Sequence, residues 1–268
     1  MNEIASVPAW HAIVANSKDW QWKGNLLHET GSSEVWGKSH GAKPGLASLV
    51  VSHIYGRQNQ SRPVKQVMAK ALSELKPGDY GLNFGSGSQR YADNLLNLDL
   101  EPGPNADVVS AGSLRLPFID DSLRLIVCQE VLEHVDRPTE AIAEFHRTLK
   151  PDGALVLQLP FIIGYHPGPT DFWRFSKEAY AKILPEGQWA IEDMRITVGH
   201  GSALHRILTE FVAVHFSIFG KKIYRLAKGI STVLLFPLVL FDFITAYLPE
   251  KDRIPGGYIV VARPKKKR

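Results

Sequence analysis

From Tyr80 to Gln158 the chain alternates short apolar runs with turns and helical segments, the order expected of a parallel sheet. The first run, Tyr80-Gly81-Leu82-Asn83-Phe84, ends in Gly85-Ser86-Gly87, and the second, at 95–100, carries Asn97-Leu98-Asp99-Leu100. Runs at 107–110, 123–128 and 153–159 follow, with an amphipathic segment at 138–149 before the last of them. Such strands, buried on both faces, need helices above and below. Without side chains at Gly85 and Gly87 a ligand can lie close to the backbone. A helix starting after the turn would aim free amides at that ligand. An acid at the tip of the next strand, here Asp99, can accept both hydroxyls of a ribose. Together these features predict a site for a nucleotide-like cofactor; the simpler alternative is a strand turn capped by an Asp.

The spacing narrows the cofactor. Only residues 85–94 separate the first two strands, near the minimum for a parallel crossover, so the intervening helix has about two turns or fewer. The third glycine of a dinucleotide fingerprint is missing after Gly85 and Gly87, and Asp99 lies 12 residues past Gly87. A dinucleotide site wants all three glycines and an acid about 20 residues on, which argues against NAD and FAD.

The remainder of the 268 residues divides at Pro63. Residues 1–62 hold Trp10, Trp20, Trp22 and Trp36 without a sustained period, and predict an irregular extension that packs its aromatics on the main domain, 63–268. Val64, Val67, Met68, Ala71, Leu72 and Leu75 recur at helical spacing before the first strand. Helix 177–184, a strand near 189–198, an apolar helical insertion over 203–248 and a final strand at 258–263 complete the order. The single cysteine, Cys128, excludes an internal disulfide and reads as a buried small hydrophobe. No basic start followed by an apolar core marks the N-terminus, so a cytoplasmic location is expected. The net charge of +4 owes part of its excess to Lys265-Lys266-Lys267-Arg268, read as a solvated, frayed terminus rather than a nucleic-acid site.

Four stretches resemble the class I S-adenosylmethionine-dependent methyltransferases: Asn83-Phe84-Gly85-Ser86-Gly87; Leu98-Asp99-Leu100; Leu116-Pro117-Phe118 with Asp121-Ser122; and Val131-Leu132-Glu133-His134-Val135 followed by Phe145 to Gly153. The resemblance covers roughly residues 63–200 and is nearest to small bacterial methyltransferases associated with glycan and polysaccharide synthesis. It implies a Rossmann-like, mostly parallel seven-stranded sheet with helices on both faces and a helical insertion before the last strand. It also implies S-adenosylmethionine as cofactor, held by Asn83, Gly85, Ser86, Gly87, Asp99, Gly112, Ser113 and Gln129. Departures from the family pattern are Asn83 for an acid in the first strand, Gly112 for the acid that meets the adenine amino group, and Arg124 for an acid before the fourth strand. Glu133 and His134, adjacent at a strand–helix junction, are expected to point apart and to organise the loop.

Methyl transfer needs alignment and, for a hydroxyl acceptor, a base; it needs no metal. The loop 160–176 follows a strand end, where ligands of α/β sheets bind. His166 suits a general base, Asp171 could orient it or bind sugar hydroxyls, and Arg174 could hold a phosphate or carboxylate. The alternative is that the three tie down a long loop. The expected acceptor is a hydroxyl on a sugar or lipid-linked saccharide. The apolar insertion, with Lys221, Lys222, Arg225 and Lys228 beside it, suits peripheral contact with the inner membrane face, a lid or a homodimer surface. A transmembrane span is disfavoured because a sheet strand follows. A catalytically degenerate subunit of a glycan-assembly complex is the rival function, motivated by Asn83, the missing third glycine and Gly112.

Overall fold

A computed structural model describes residues 8–33, 61–245 and 248–266. Among the described residues nine strands form one sheet: β1 (Trp20–Lys23), β2 (Leu26–Glu29), β3 (Tyr80–Phe84), β4 (Leu95–Asp99), β5 (Val108–Val109), β6 (Leu123–Gln129), β7 (Leu149–Pro160), β8 (Trp189–Ile196) and β9 (Gly257–Pro264). Their order is β1-β2-β5-β4-β3-β6-β7-β9-β8. The strands from β2 to β7 in that row pair in parallel, while β9 runs antiparallel to both β7 and β8. The chain leaves β3 toward β4 on one side and returns to β6 on the other. A crevice therefore opens at the carboxyl ends of β3 and β6, the switch point where ligands of such sheets bind.

Alternation along the strands gives the sheet two cores. Leu82, Phe84, Leu96, Leu98, Ile126, Cys128, Leu155 and Leu157 face one layer, with Ile142 and Phe145 of α2 (Pro138–Thr148) packed on them. Phe84 and Phe145 meet edge to face at 5.1 Å. Leu95, Leu125, Val127, Val156 and Ile259 face the other, covered by Val64, Val67, Met68 and Ala71 of α1 (Arg62–Ser73). Cys128 is fully buried among apolar neighbours, which pushes its thiol pKa well up and leaves it inert. The helix α3 (Lys177–Ile183) places Tyr180 in the first core, where its hydroxyl donates to the Tyr258 carbonyl.

Three sequence expectations are corrected. The sheet has nine strands rather than seven, because part of the extension read as irregular folds into the hairpin β1–β2. Gly24 and Asn25 turn it, Gly24 at φ +63°, and β2 joins β5 in parallel. Trp10 and Trp20 are buried in the first core, while Trp36 lies outside the described residues. Second, no helix follows the glycine turn: residues 85–94 form turns and irregular chain, since ten residues leave little room for a helix and its two connections. Third, the basic tail is not frayed through Lys266. Its ammonium donates to the Arg147 and Leu149 carbonyls and pairs with Asp121, and Lys265 donates to the Glu186 carbonyl. Lys267 and Arg268 lie outside the described residues.

Candidate functional site

The glycine turn is built by the strands on either side of it. Gly85 and Ser86 both donate to the Leu98 carbonyl, at 2.9 and 3.1 Å, pinning the turn to the end of β4. Gly85 has φ +68°, and a Cβ there would meet Val131 Cγ2 at 2.4 Å, so the turn rests directly against the chain leaving β6. Gly87, at φ +54°, is different: a Cβ would meet nothing within 4 Å, so its backbone borders open space. Ser86 Oγ is buried beside it without a hydrogen-bond partner.

Asp99 ends β4 where the sequence places it. One carboxylate oxygen accepts from Gly87 N at 2.6 Å and the other from Leu100 N at 2.7 Å. The Asp cap and the ribose site are therefore not exclusive. A carboxylate offers about four acceptor positions, so two remain for a ligand.

Asn83 and Asn97 replace what a crossover helix would otherwise fix. Asn83 Nδ2 donates to the Gln89 carbonyl at 3.2 Å and to Asn97 Oδ1 at 3.1 Å. Asn97 Nδ2 donates to the carbonyls of Gln89 and Asn105, at 3.0 and 2.9 Å. Arg90 bridges to Asp107 Oδ2 at 2.6 Å, and that oxygen also accepts from Asn97 N. A buried amide pair thus holds the helix-free loop 85–94 on the sheet, and Asn83 is a positioning residue for the turn.

Gly112 and Ser113 are exposed, and Ser113 Oγ accepts from Arg115 N. A carboxylate that the sequence did not suggest stands just before them. Glu29, at the end of β2, accepts from Ser110 Oγ at 2.7 Å and Ala111 N at 2.6 Å. The alternating Trp20-Gln21-Trp22-Lys23 before Gly24-Asn25 is the hairpin signal that would have placed it on a strand. Gln129 is buried at the end of β6, accepting from Tyr91 OH at 2.8 Å and donating to Gln158 Oε1 at 2.8 Å.

Beyond β6 the chain turns through Glu130, at φ +56°, into a short 3-10 turn, Leu132–His134. Loop 160–176 docks there: Phe172 N and Trp173 N donate to the Glu133 carbonyl, and Trp173 Nε1 to that of Val135. Glu133 and His134 do not point apart as expected. Glu133 is wholly buried, and neither carboxylate oxygen has a hydrogen-bond partner. His134 Nε2 lies 3.7 Å and His166 Nε2 3.8 Å from Glu133 Oε1, charge-pair distances rather than hydrogen bonds. The two imidazoles meet edge to face at 5.1 Å. The docked loop brings the second imidazole to the carboxylate, a proximity across 33 positions that spacing alone does not reveal.

The tautomer of His166 follows from its neighbours. Arg174 Nη2 donates to the Gly164 carbonyl and to Asp171 Oδ2, which uses both its hydrogens. His166 Nδ1, 3.1 Å from the same carbonyl, is then the protonated nitrogen, and Nε2 is left bare toward Glu133. Glu133, with help from the Gly164 carbonyl and Asp171, raises the His166 pKa above its ordinary value, against burial and Arg174.

Asp171 and Arg174 are a loop staple. Asp171 is bound by both terminal nitrogens of Arg174, at 2.5 and 2.7 Å, and by His166 N at 2.9 Å. Arg174 also donates to the Ile163 and Trp173 carbonyls. Its guanidinium is saturated, so the expected anion grip is not available, and Asp171 fixes the His166 backbone rather than its ring. The Arg174 guanidinium holds the Asp171 carboxyl well below the usual carboxylate range. Asp171→Asn should cost about 3 kcal/mol, the low end for orphaning one member of a buried pair, because Arg174 keeps part of its surface in water. Urea unfolding checks this, and an unchanged midpoint would contradict it.

Glu130 is held differently. Burial, then the nearby Glu133, pushes its pKa from 4.5 to about 8, so it keeps its proton at neutral pH. Because the folded value is the higher one, the native state binds the extra proton between the unfolded value and about 8. The stability this contributes is present at low pH and is lost as pH rises through about 8. Glu130→Gln should remove that slope from melting temperatures recorded across the window; an unchanged slope would contradict the assignment.

Glu133 Oε1, His134 Nε2 and His166 Nε2 all lie within 4.8 Å of one another. These residue types can bind a divalent ion, but a tetrahedral ion at about 2.0–2.1 Å would draw its ligand atoms to about 3.4 Å apart. The spacings of 3.7 and 3.8 Å are wider than that. A cavity of about 190 Å³ lined by Gln66, Lys70, Glu192 and Arg195 shares no residue with the crevice.

Residues 80–157 match the model of a methyltransferase domain family. A demethylmenaquinone methyltransferase of Renibacterium salmoninarum is 29% identical over 114 residues, covering 37% of this chain and 48% of the relative. An uncharacterized methyltransferase of Mycobacterium avium is 33% identical over 101 residues, covering 33% and 38% respectively. The chain thus spans less than half the length of these curated relatives. A putative methyltransferase structure from Bacillus halodurans superposes with a TM-score of 0.45 at 15% identity, over 75% of this chain and 100% of that one.

Proposed function

We propose that the chain transfers a methyl group from S-adenosylmethionine to a hydroxyl of a sugar or lipid-linked saccharide. The observation that carries this is the glycine turn at the switch point, with Asp99 closing it and two acceptor positions left on its carboxylate. The methyltransferase-domain match covers that stretch. The crevice fits the cofactor on its own terms: Gly87 borders open space and Ser86 Oγ is a buried hydroxyl lacking a partner. Asp99 would take the ribose, the turn from Gly85 to Gly87 the amino-acid end, and Glu29 with the Gly112–Ser113 backbone the adenine side. Asn83, whose departure from the family pattern motivated a degenerate-subunit alternative, has a structural task in holding the turn.

When bound, the cofactor supplies a methyl activated by a sulfonium. The chain supplies position and a proton acceptor. Loop 160–176 and the turn after β6 form one wall of the crevice. His166 Nε2 takes the hydroxyl proton, and Glu133 stabilises the imidazolium that results. A third of the His166 side chain is open to solvent, so an acceptor can approach the ring. Exposed Tyr165, Phe172 and Trp173 offer faces on which a sugar can stack. The relative's name supplies the rival acceptor, a demethylmenaquinone. Incubating the protein with methyl-labelled cofactor and separated cell extracts distinguishes them. Label recovered as a methyl ether in the saccharide fraction is expected; label confined to quinone would overturn the proposed acceptor.

A further inference from the structure

The insertion before β9 is built with its polar side inward. Helix α4 (His200–His215) packs antiparallel to α5 (Lys221–Leu234), followed by α6 (Pro237–Leu240) and α7 (Asp242–Thr245). Between them lie Glu210, which accepts from Tyr224 OH at 2.6 Å and pairs with Lys228, and buried His205, whose Nε2 meets the Thr232 carbonyl at 2.9 Å. Thr209, Ser231 and Thr232 are buried there too. Asp242, the one charge of the 230–248 run, caps α4: its carboxylate accepts from Gly201 N at 2.7 Å and Ser202 Oγ at 2.5 Å.

The apolar side faces out. Ile223, Leu226, Ile230 and Val233 are exposed and recur every three to four residues along α5, and exposed Leu240 and Ile244 follow in α6 and α7. Lys221–Ile244 is long and apolar enough to cross a bilayer, and little of it is buried. It does not cross. Asp242 returns the end of the run to the start of α4, and β9 then pairs with β7 and β8. Both ends of the insertion therefore sit on the same side. The connection between α4 and α5 exposes Ile218 at 80% and Phe219 at 67%, next to exposed Lys221, Lys222 and Arg225.

We infer that α5 to α7 lie in the plane of an anionic lipid surface, with the apolar side among the acyl chains and Lys221, Lys222 and Arg225 in the headgroups. Charge complementarity selects lipid over a second copy of the chain, whose facing insertion would bring the same cations together. The contact would set the active crevice at the membrane, since α4 reaches loop 160–176: a Cβ on Gly164 would lie 3.6 Å from Glu210 Cγ. The lipid contact stands without the methyl-transfer proposal, and its test does not read activity.

The test is co-sedimentation of the full chain with vesicles of phosphatidylcholine alone or mixed with phosphatidylglycerol. Binding to the anionic vesicles should exceed that to neutral ones by roughly a hundredfold at low salt, about 1 kcal/mol for each of the three basic residues. Ile230→Glu with Val233→Glu should abolish it, and Lys221→Glu with Lys222→Glu should remove the preference for anionic lipid. Circular dichroism checks that each variant is folded, and the lysine pair is exposed and outside the core. No sedimentation of the folded wild type would overturn the proposal. So would equal binding to both vesicle types, or a dimer in light scattering that the glutamate pair dissociates without any vesicle binding.

Discussion

Asp99→Ala is expected to weaken binding of S-adenosylmethionine and S-adenosylhomocysteine by about 10²–10⁴-fold. Two hydrogen bonds from a ligand to a charged acceptor are worth about 1.5–3 kcal/mol each, or about 3–6 kcal/mol together, and each 1.4 kcal/mol is tenfold in Kd. The substitution also frees Gly87 N and Leu100 N, so the turn loses the groups that hold it. Losing such a cap costs about 1 kcal/mol of stability. That is small enough to leave the protein folded while cofactor binding disappears. Asp99→Asn separates the two roles: its single carbonyl oxygen can still cap one amide but cannot serve both hydroxyls. Isothermal titration of the folded variants measures the effect. Alanine at 99 with wild-type affinity would mean that the carboxylate serves only the turn.

His166→Asn is the second large effect, of a different kind. Removing a general base should lower kcat by about 10²–10⁴-fold while cofactor affinity stays unchanged. The pH profile carries more information than the loss. Neutral His166 is the active form, and Glu133 raises its pKa. Activity should therefore fall, as pH is lowered, already above the ordinary imidazole value near 6.5. Glu133→Gln removes the main cause of that rise, so the acid limb should move to lower pH and the imidazolium should lose its stabilising partner. An acid limb that stays in place would separate Glu133 from the proton chemistry and leave it a purely structural buried acid.

The parts of the site legible in the sequence are those whose chemistry is local. Gly85, Gly87 and Asp99 lie within 15 residues along two adjacent strands, and each is placed by backbone geometry that its residue type announces. The same locality gives the strands from β3 to β7 and helix α2, whose apolar stripe runs through Ala141, Ile142 and Phe145. What sequence hides is set by docking. His166 reaches Glu133 only because Phe172 and Trp173 hydrogen-bond to the turn after β6. Arg174, read from residue type as an anion grip, is saturated because Asp171 and three carbonyls fold around it. Glu29 lay in a segment without long periodicity, since four-residue strands are too short to show one. The insertion was legible as apolar, but which way its polar stripe faced depended on the pairing of α4 with α5.

The most direct test is calorimetric titration of the wild-type chain with S-adenosylhomocysteine, with a thermal melt at saturating ligand beside it. One site per chain, a raised melting temperature and the loss of both in Asp99→Ala are the predicted results. No heat and no thermal shift at millimolar ligand would contradict the cofactor site, and with it the proposed methyl transfer.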